Sequence, residues 1–270
     1  MTYRLLALDL DGTLLRHDQV VDADDVAAIA ELQAAGVTVT IVTGRLHSGA
    51  IGAARACAID GVIACVEGSH LVELSSSRTV GHHPIATDLG AVVRRAVEGA
   101  ALSTFVFDAD GIHHDHRGAA YVDYVRTWSP NVGIVEDDGA WRATALAVVA
   151  IGEPAAVAAA YAAVRDRADA LFSVSFAVSP IPGKHALLVR AAGPTKGTAL
   201  AELCARVGCT VADAVAIGDW VNDVPMFEVA GRSFAMGGAP EAVARAATDR
   251  LSRAAGTGGG IAEAIRLAWG

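Results

Sequence analysis

Four short clusters in this chain carry residue types that could do chemistry: Asp9 with Asp11, Thr43-Gly44-Arg45, Lys196, and Asp219 with Asn222 and Asp223. The first interrupts the apolar run "LLALDLDGTLL" (5–15), where an unpaired buried carboxylate would be very costly. In an extended chain, acids at positions i and i+2 flank a residue of the opposite face, and a strand running on through them would be a poor place for charge. The strand must therefore stop at Asp9, with Gly12 letting the chain leave sharply. Close carboxylates repel by about 4 kcal/mol per pair at 4 Å and an effective dielectric near 20, so such a cluster needs a cation. All-oxygen ligands with few protein donors suit Mg²⁺. A metal beside a lysine and hydroxyl or amide donors makes a site for a phosphoryl group, where positioning and charge neutralisation supply most of the catalysis. Singly, each cluster has a plain structural explanation, because acids after a strand cap helices and form turns. Their joint placement is what points to chemistry.

That placement depends on the elements between them. Arg4–Leu8 reads as a strand buried on both faces, followed by an amphipathic helix over Asp22–Ala35 and a β-branched strand in "VTVTIVTGR" (37–45). A helix over 47–58 and a strand near 61–66 complete the run. Strand and helix alternating at short spacing predict βαβ units and a parallel sheet, whose ligands collect outside the carboxyl ends of the strands. From about His82 to Val189 the rhythm changes. Here the pattern predicts a helix (88–100), a hairpin turning at "DADG" (108–111), an aromatic helix (119–128), a strand (144–151), an Ala-rich helix (154–168) and two closing strands. After "AAGP" (191–194) the α/β rhythm returns with a helix from Lys196, the strand "AVAIGD" (214–219), a helix over 222–230, a strand near 233–236 and closing helices. The expected architecture is an α/β, Rossmann-like parallel-sheet core (1–81 and 192–270) interrupted by an α+β insert (82–191).

"DLDGTLL" (9–15), "VTGR" (42–45), "GPTKGTAL" (193–200) and "GDWVNDVPMF" (218–227), in that order, resemble the four motifs of the haloacid dehalogenase superfamily. The insert between the second and third resembles the α/β cap of its Cof-like sugar-phosphatase branch. The resemblance spans essentially the whole chain and implies a Mg²⁺-dependent phosphatase of small phosphorylated metabolites. On it, Asp9 is the nucleophile that forms an aspartyl-phosphate, and Asp11 protonates the leaving group and then activates water. The Asp9 carboxylate, the Asp11 carbonyl and Asp219 would hold the metal. Asp223 would be a further ligand or an orienter of Lys196. The Leu10 and Gly44 N–H groups, Thr43, Lys196 and Asn222 would hold phosphate oxygens. Arg45 would either contact substrate or pair with an acid. Relatives that cleave carbon–halogen bonds lack an acid at the position of Asp11, so its presence favours phosphate chemistry. Two departures stand out: Trp220, which would pack over the site or narrow its entrance, and "EGS" (67–69) in place of the branch's usual Asn-Gly-Ala. The latter puts Glu67 near the rim, against substrates with extra negative charge there. The same machinery would also serve a phosphotransferase or mutase. A non-catalytic metabolite binder would have no need of the nucleophile.

Composition narrows the partners. With 53% hydrophobic residues the chain can bury a full core, and a net charge of −9 offers no basic stripe for nucleic acid. Cys57, Cys65, Cys204 and Cys209 form neither a CxxC pair nor a metal spacing, and read as reduced thiols. No signal-peptide pattern and no uninterrupted apolar run of spanning length is present, so a cytoplasmic, membrane-free protein is expected. Its oligomeric state is open. "HHDH" (113–116) would place only His114 and His116 on one strand face, too few for a metal site, and "DADG" lacks the acids of a calcium loop. Tyr121, Tyr124 and Trp128 share a helical face and read as packing.

Overall fold

The computed structural model describes residues 3–136, 139–141 and 144–270. They gather into two compact units. The first runs through Gly44, then takes Ala50–Gly81 and Thr195–Gly270; the second takes Arg45–Gly49 and His82–Pro194. In chain order the elements begin with β1 (Leu5–Leu8), α1 (Ala23–Ala34), β2 (Thr38–Ile41), α2 (His47–Ala56), β3 (Val62–Cys65), β4 (His70–Glu73) and β5 (Arg78–His82). There follow α3 (Thr87–Gly99), β6 (Ser103–Phe107), β7 (Ile112–His114), α4 (Val122–Val125), β8 (Val132–Ile134), β9 (Ala147–Gly152), α5 (Pro154–Arg165), β10 (Leu171–Ala177) and β11 (His185–Ala191). The chain closes with α6 (Lys196–Arg206), β12 (Ala214–Gly218), α7 (Val224–Val229), β13 (Arg232–Gly237), α8 (Glu241–Ala246), β14 (Asp249–Ala254) and α9 (Gly260–Trp269). No helix among the described residues is long and apolar enough to cross a membrane.

The first unit is built on a parallel sheet in the order β14-β13-β12-β1-β2. All four residues of β1 are buried, as a strand covered on both faces requires. Leu5 and Ala7 pack with Leu200, Leu203 and Phe227 from α6 and α7. Leu6 and Leu8 alternate with them and face the side where α1 and α9 pack on each other. The expected third parallel strand behaves differently. β3 meets the main sheet through a single bridge, Val42 to Ala64, and pairs antiparallel with β4 in a separate three-stranded sheet. Left-handed backbone at Val66 (φ 49°) and Glu67 (φ 57°) reverses the chain immediately after β3 and folds it back. β14, where only helices are expected, is a polar edge strand. Leu251 is its one buried residue, and charged side chains on such an edge discourage pairing with another chain.

The second unit carries a six-stranded sheet, β10-β11-β9-β6-β7-β8, antiparallel except between β7 and β8. Leu89, Val93 and Val97 of α3 and Val157 and Val164 of α5 pack with Val148, Ala150, Leu187 and Val189 of that sheet. The "DADG" segment is a turn between β6 and β7. The Asp108 carboxylate accepts from the Asp110 and Gly111 N–H groups, each at 2.8 Å. The helix expected over 119–128 is broken up: a 3₁₀ turn (His116–Tyr121) capped by Asp115 covers its start, and α4 supplies a single α turn after it. Trp128 stacks edge-on against Tyr124 at 5.0 Å and Phe107 at 5.9 Å. The histidines differ from one another. His114 is buried against Phe105, whereas His116 lies beyond the strand and is exposed.

Candidate active site

The sheet order reverses at β1: its sequence neighbour β2 lies on one side and the distant β12 on the other. Such a switch point leaves a crevice outside the carboxyl ends of the strands. Asp9 stands at that end of β1, its N–H still donating to the Ile217 carbonyl at 2.9 Å. Beyond it the chain turns, with the Leu15 N–H returning to the Leu10 carbonyl at 2.8 Å. Asp219 follows β12 directly, and Thr43 follows β2, its N–H donating to the Ala64 carbonyl at 2.8 Å. Gly12 has φ +80°, and a Cβ there would sit 2.6 Å from an Asp219 carboxylate oxygen. Glycine thus lets the first loop turn and lets the two motifs meet.

Lys196 ties the clusters together. Thr195 caps α6 in a reciprocal capping box with Thr198, which fixes Lys196 as the first helical residue. Its Nζ is fully buried and donates to Asp9 Oδ1 at 2.5 Å and Asp223 Oδ1 at 2.6 Å. The other Asp223 oxygen accepts from the Asp219 and Trp220 N–H groups at 2.8 and 2.9 Å. Asp223 therefore orients both the lysine and the loop that carries Asp219. Burial alone would lower the Lys196 pKa, but Asp223, Asp9 and Glu67 overcome it and raise it. Burial, then Asp223, raise Asp9 well above the ordinary carboxylate range against the pull of Lys196. Burial and Asp223 push Asp219 up to about 6, although the Thr13 hydroxyl donates to it at 3.3 Å. Three carboxylates share one ammonium here.

Among the described residues, Asp9, Asp219 and Asp223 form the group of acids that could hold a metal ion, with ligand oxygens within 4.8 Å of one another. An all-oxygen donor set with excess negative charge fits a hard divalent cation such as Mg²⁺. Asp11 stands outside that group, exposed, yet near enough for its charge to act on Asp219.

The remaining expected residues divide between the units. Thr43 is buried, and the Glu67 N–H donates to its carbonyl at 3.0 Å. A Cβ on Gly44 would lie 2.6 Å from Glu67 Oε1, the same oxygen that accepts from Asn222 Nδ2 at 2.9 Å. Arg45 belongs to the second unit, where it is buried and donates to the Gly49 carbonyl at 3.4 Å. Trp220 is 56% exposed rather than packed down. Two contacts escape sequence reasoning, Thr13 to Asp219 and Glu67 to Asn222. No local pattern links residues 206 or 155 positions apart.

A lysine buried between aspartates beyond the carboxyl ends of a parallel sheet is an arrangement suited to hydrolytic or group-transfer chemistry in an α/β enzyme. The chain belongs to the haloacid dehalogenase-like hydrolases, whose family profile matches residues 6–265, and to their Cof-like branch. It is 27% identical to the pyridoxal phosphate phosphatase YbhA of Escherichia coli (strain K12), covering 90% of this chain and 91% of that one. It is 29% identical to a phosphoglycolate phosphatase of Halobacterium salinarum, covering 94% and 92%. Among solved structures, a haloacid dehalogenase-like hydrolase from Bacteroides thetaiotaomicron superposes with a TM-score of 0.84 at 22% identity, covering 98% of this chain and 99% of that one. That likeness speaks for the fold.

Proposed function

We propose that this chain is a Mg²⁺-dependent phosphatase of small phosphomonoesters that works through an aspartyl-phosphate on Asp9. The observation that carries the reading is the fully buried Lys196 ammonium bridging Asp9 and Asp223 beside Asp219. The phosphatases among its relatives support the same class of reaction.

Lys196 holds one Asp9 oxygen and leaves the other to attack phosphorus. The P–O bond to the alcohol breaks as the Asp9–phosphorus bond forms, and Asp11 gives the departing alkoxide a proton. Asp11, now a carboxylate, takes a proton from water as that water attacks the same phosphorus. Inorganic phosphate leaves and the Asp9 carboxylate is restored. The exposure of Asp11 suits a group that must meet both alcohol and water. Thr43, Lys196, Asn222 and the Leu10 and Gly44 N–H groups would hold the non-reacting oxygens. The Asp9 carboxylate, the Asp11 carbonyl and Asp219 would hold Mg²⁺, with Asp223 behind them. When bound, the metal neutralises charge on the transferring phosphoryl group. Assayed with Mg²⁺ on a panel of sugar phosphates, nucleotides and phosphorylated cofactors, the protein should release phosphate. Asp9→Asn should lower kcat by about 10³-fold or more, as loss of a nucleophile does. No release from any ester, with no effect of Asp9→Asn, would overturn the reading.

A further inference from the structure

The Glu67–Asn222 pair does more than line the rim. Glu67 sits in left-handed backbone (φ 57°) directly after Val66, which is also left-handed (φ 49°). A glutamate in that region is strained, and such strain persists where the surroundings hold it. Here they do: its N–H donates to the Thr43 carbonyl at 3.0 Å and its Oε1 accepts from Asn222 Nδ2 at 2.9 Å. A carboxylate can only accept, so this contact fixes which end of the Asn222 amide faces Glu67. The consequence falls on the other end. Asn222 Oδ1 is buried and has no hydrogen-bond partner among the described residues. A buried acceptor left unpaired is costly, and a ligand donor would recover that cost. The carboxylate stands beside Gly44 and within electrostatic reach of Lys196.

We infer that Glu67 is a positioning and charge-selecting residue, and that the pocket prefers phosphomonoesters carrying an O–H or N–H donor, neutral or cationic, close to the phosphate over those carrying a second anion there. This deepens the phosphatase reading and rests on it. Glu67 takes one hydrogen of Asn222 Nδ2, leaves the other for a phosphate oxygen and turns the amide so that Oδ1 offers an acceptor, while its own charge repels a second anion beside the phosphate.

The test compares Mg²⁺-dependent kcat/KM on three esters of nearly equal size: phosphoethanolamine, ethylene glycol monophosphate and 2-phosphoglycolate. p-Nitrophenyl phosphate serves as a reference without either group. Wild type should favour phosphoethanolamine over 2-phosphoglycolate by about tenfold or more, the scale of one like-charge contact. Glu67→Gln, which keeps an oxygen to accept from Asn222, should bring the two within about threefold, mostly through KM for 2-phosphoglycolate. Glu67→Asn guards against a merely structural effect. Asparagine tolerates left-handed backbone, so this variant should melt no lower than wild type and yet lose the charge preference. An unchanged preference in both variants, with p-nitrophenyl phosphate still hydrolysed, overturns this inference and leaves the phosphatase reading standing. A wild type that hydrolyses none of these esters while releasing phosphate from others of the wider panel overturns this inference alone, and no release from any ester of that panel overturns both.

Discussion

At the scale of single residues, the proposed chemistry divides between a buried nucleophile and an exposed acid. Asp9 is 5% exposed and held by Lys196, whereas Asp11 lies open. The difference predicts separable steps. With p-nitrophenyl phosphate the leaving phenolate needs no proton, so Asp11→Asn should still transfer phosphate to Asp9 and then stall for want of a base. The expected result is a burst of p-nitrophenol of about one equivalent per enzyme, with phosphoprotein visible in the mass of acid-quenched samples. Slow linear release with no burst and no phosphoprotein would count against the division of roles. Asp9 and Asp219 were legible in the sequence because each stands where an apolar run ends, and Lys196 because it opens a helix after "AAGP"; their joint placement, rather than any one of them, pointed to chemistry. The fine positions were not. Whether Asp223 binds a metal or orients the lysine depends on which of its oxygens meets Nζ and which meets the 219–220 backbone. That geometry arises only when α6 and β12 come together.

At the scale of elements, the parallel strands and long helices followed directly from their hydrophobic periodicity, since burial on one or two faces writes itself into the residue order. Short elements governed by particular contacts did not. Residues 119–128 carry a helical pattern of aromatics, yet the Asp115 cap starts a 3₁₀ turn that leaves only one α turn, α4, after it. The helix expected over 222–230 likewise opens with a 3₁₀ turn at Val221–Asp223 before α7. β14 was unreadable because an edge strand need not alternate. Its stability comes instead from a distant tie: Glu263 of α9 accepts from the Ser252 N–H and hydroxyl and the Arg253 N–H, at 2.8, 2.9 and 3.1 Å. Burial pushes the Glu263 pKa upward, but those three donors outweigh it and hold it below 4.5. A folded-state pKa below the unfolded one means stability that is complete above the unfolded value and lost as pH falls through the folded one. Wild type should therefore exceed Glu263→Gln in urea midpoint at about pH 7. The gap should close progressively below about pH 4.5, where the unfolded glutamate takes up its proton. A gap that stayed constant down to pH 3 or thereabouts would show that the contacts, not the charge, carry the effect.

At the scale of the whole molecule, the net charge of −9 sets the protein against its own proposed substrates, which are dianions near neutral pH. In the proposed function the attraction that would hold a phosphate is local, supplied by the Lys196 ammonium, backbone N–H groups and a bound cation. The repulsion is spread over the surface and acts at long range. Salt separates the two, because screening weakens distant charges before close, partly buried ones. Raising ionic strength from about 0.05 to 0.5 M, with Mg²⁺ kept saturating, shortens the screening length from about 14 to about 4 Å. On these grounds kcat/KM for a dianionic ester should rise by about two- to fivefold, while kcat, which reports the bound complex, stays level. The opposite trend is expected of a protein that steers anions inward, as nucleic-acid binders do. A fall in kcat/KM with salt would mean that the field at the mouth of the crevice is positive despite the surface charge. Phosphoethanolamine, whose ammonium offsets part of its phosphate charge, should show the smallest rise, so the salt response of this enzyme should follow the net charge of each ester.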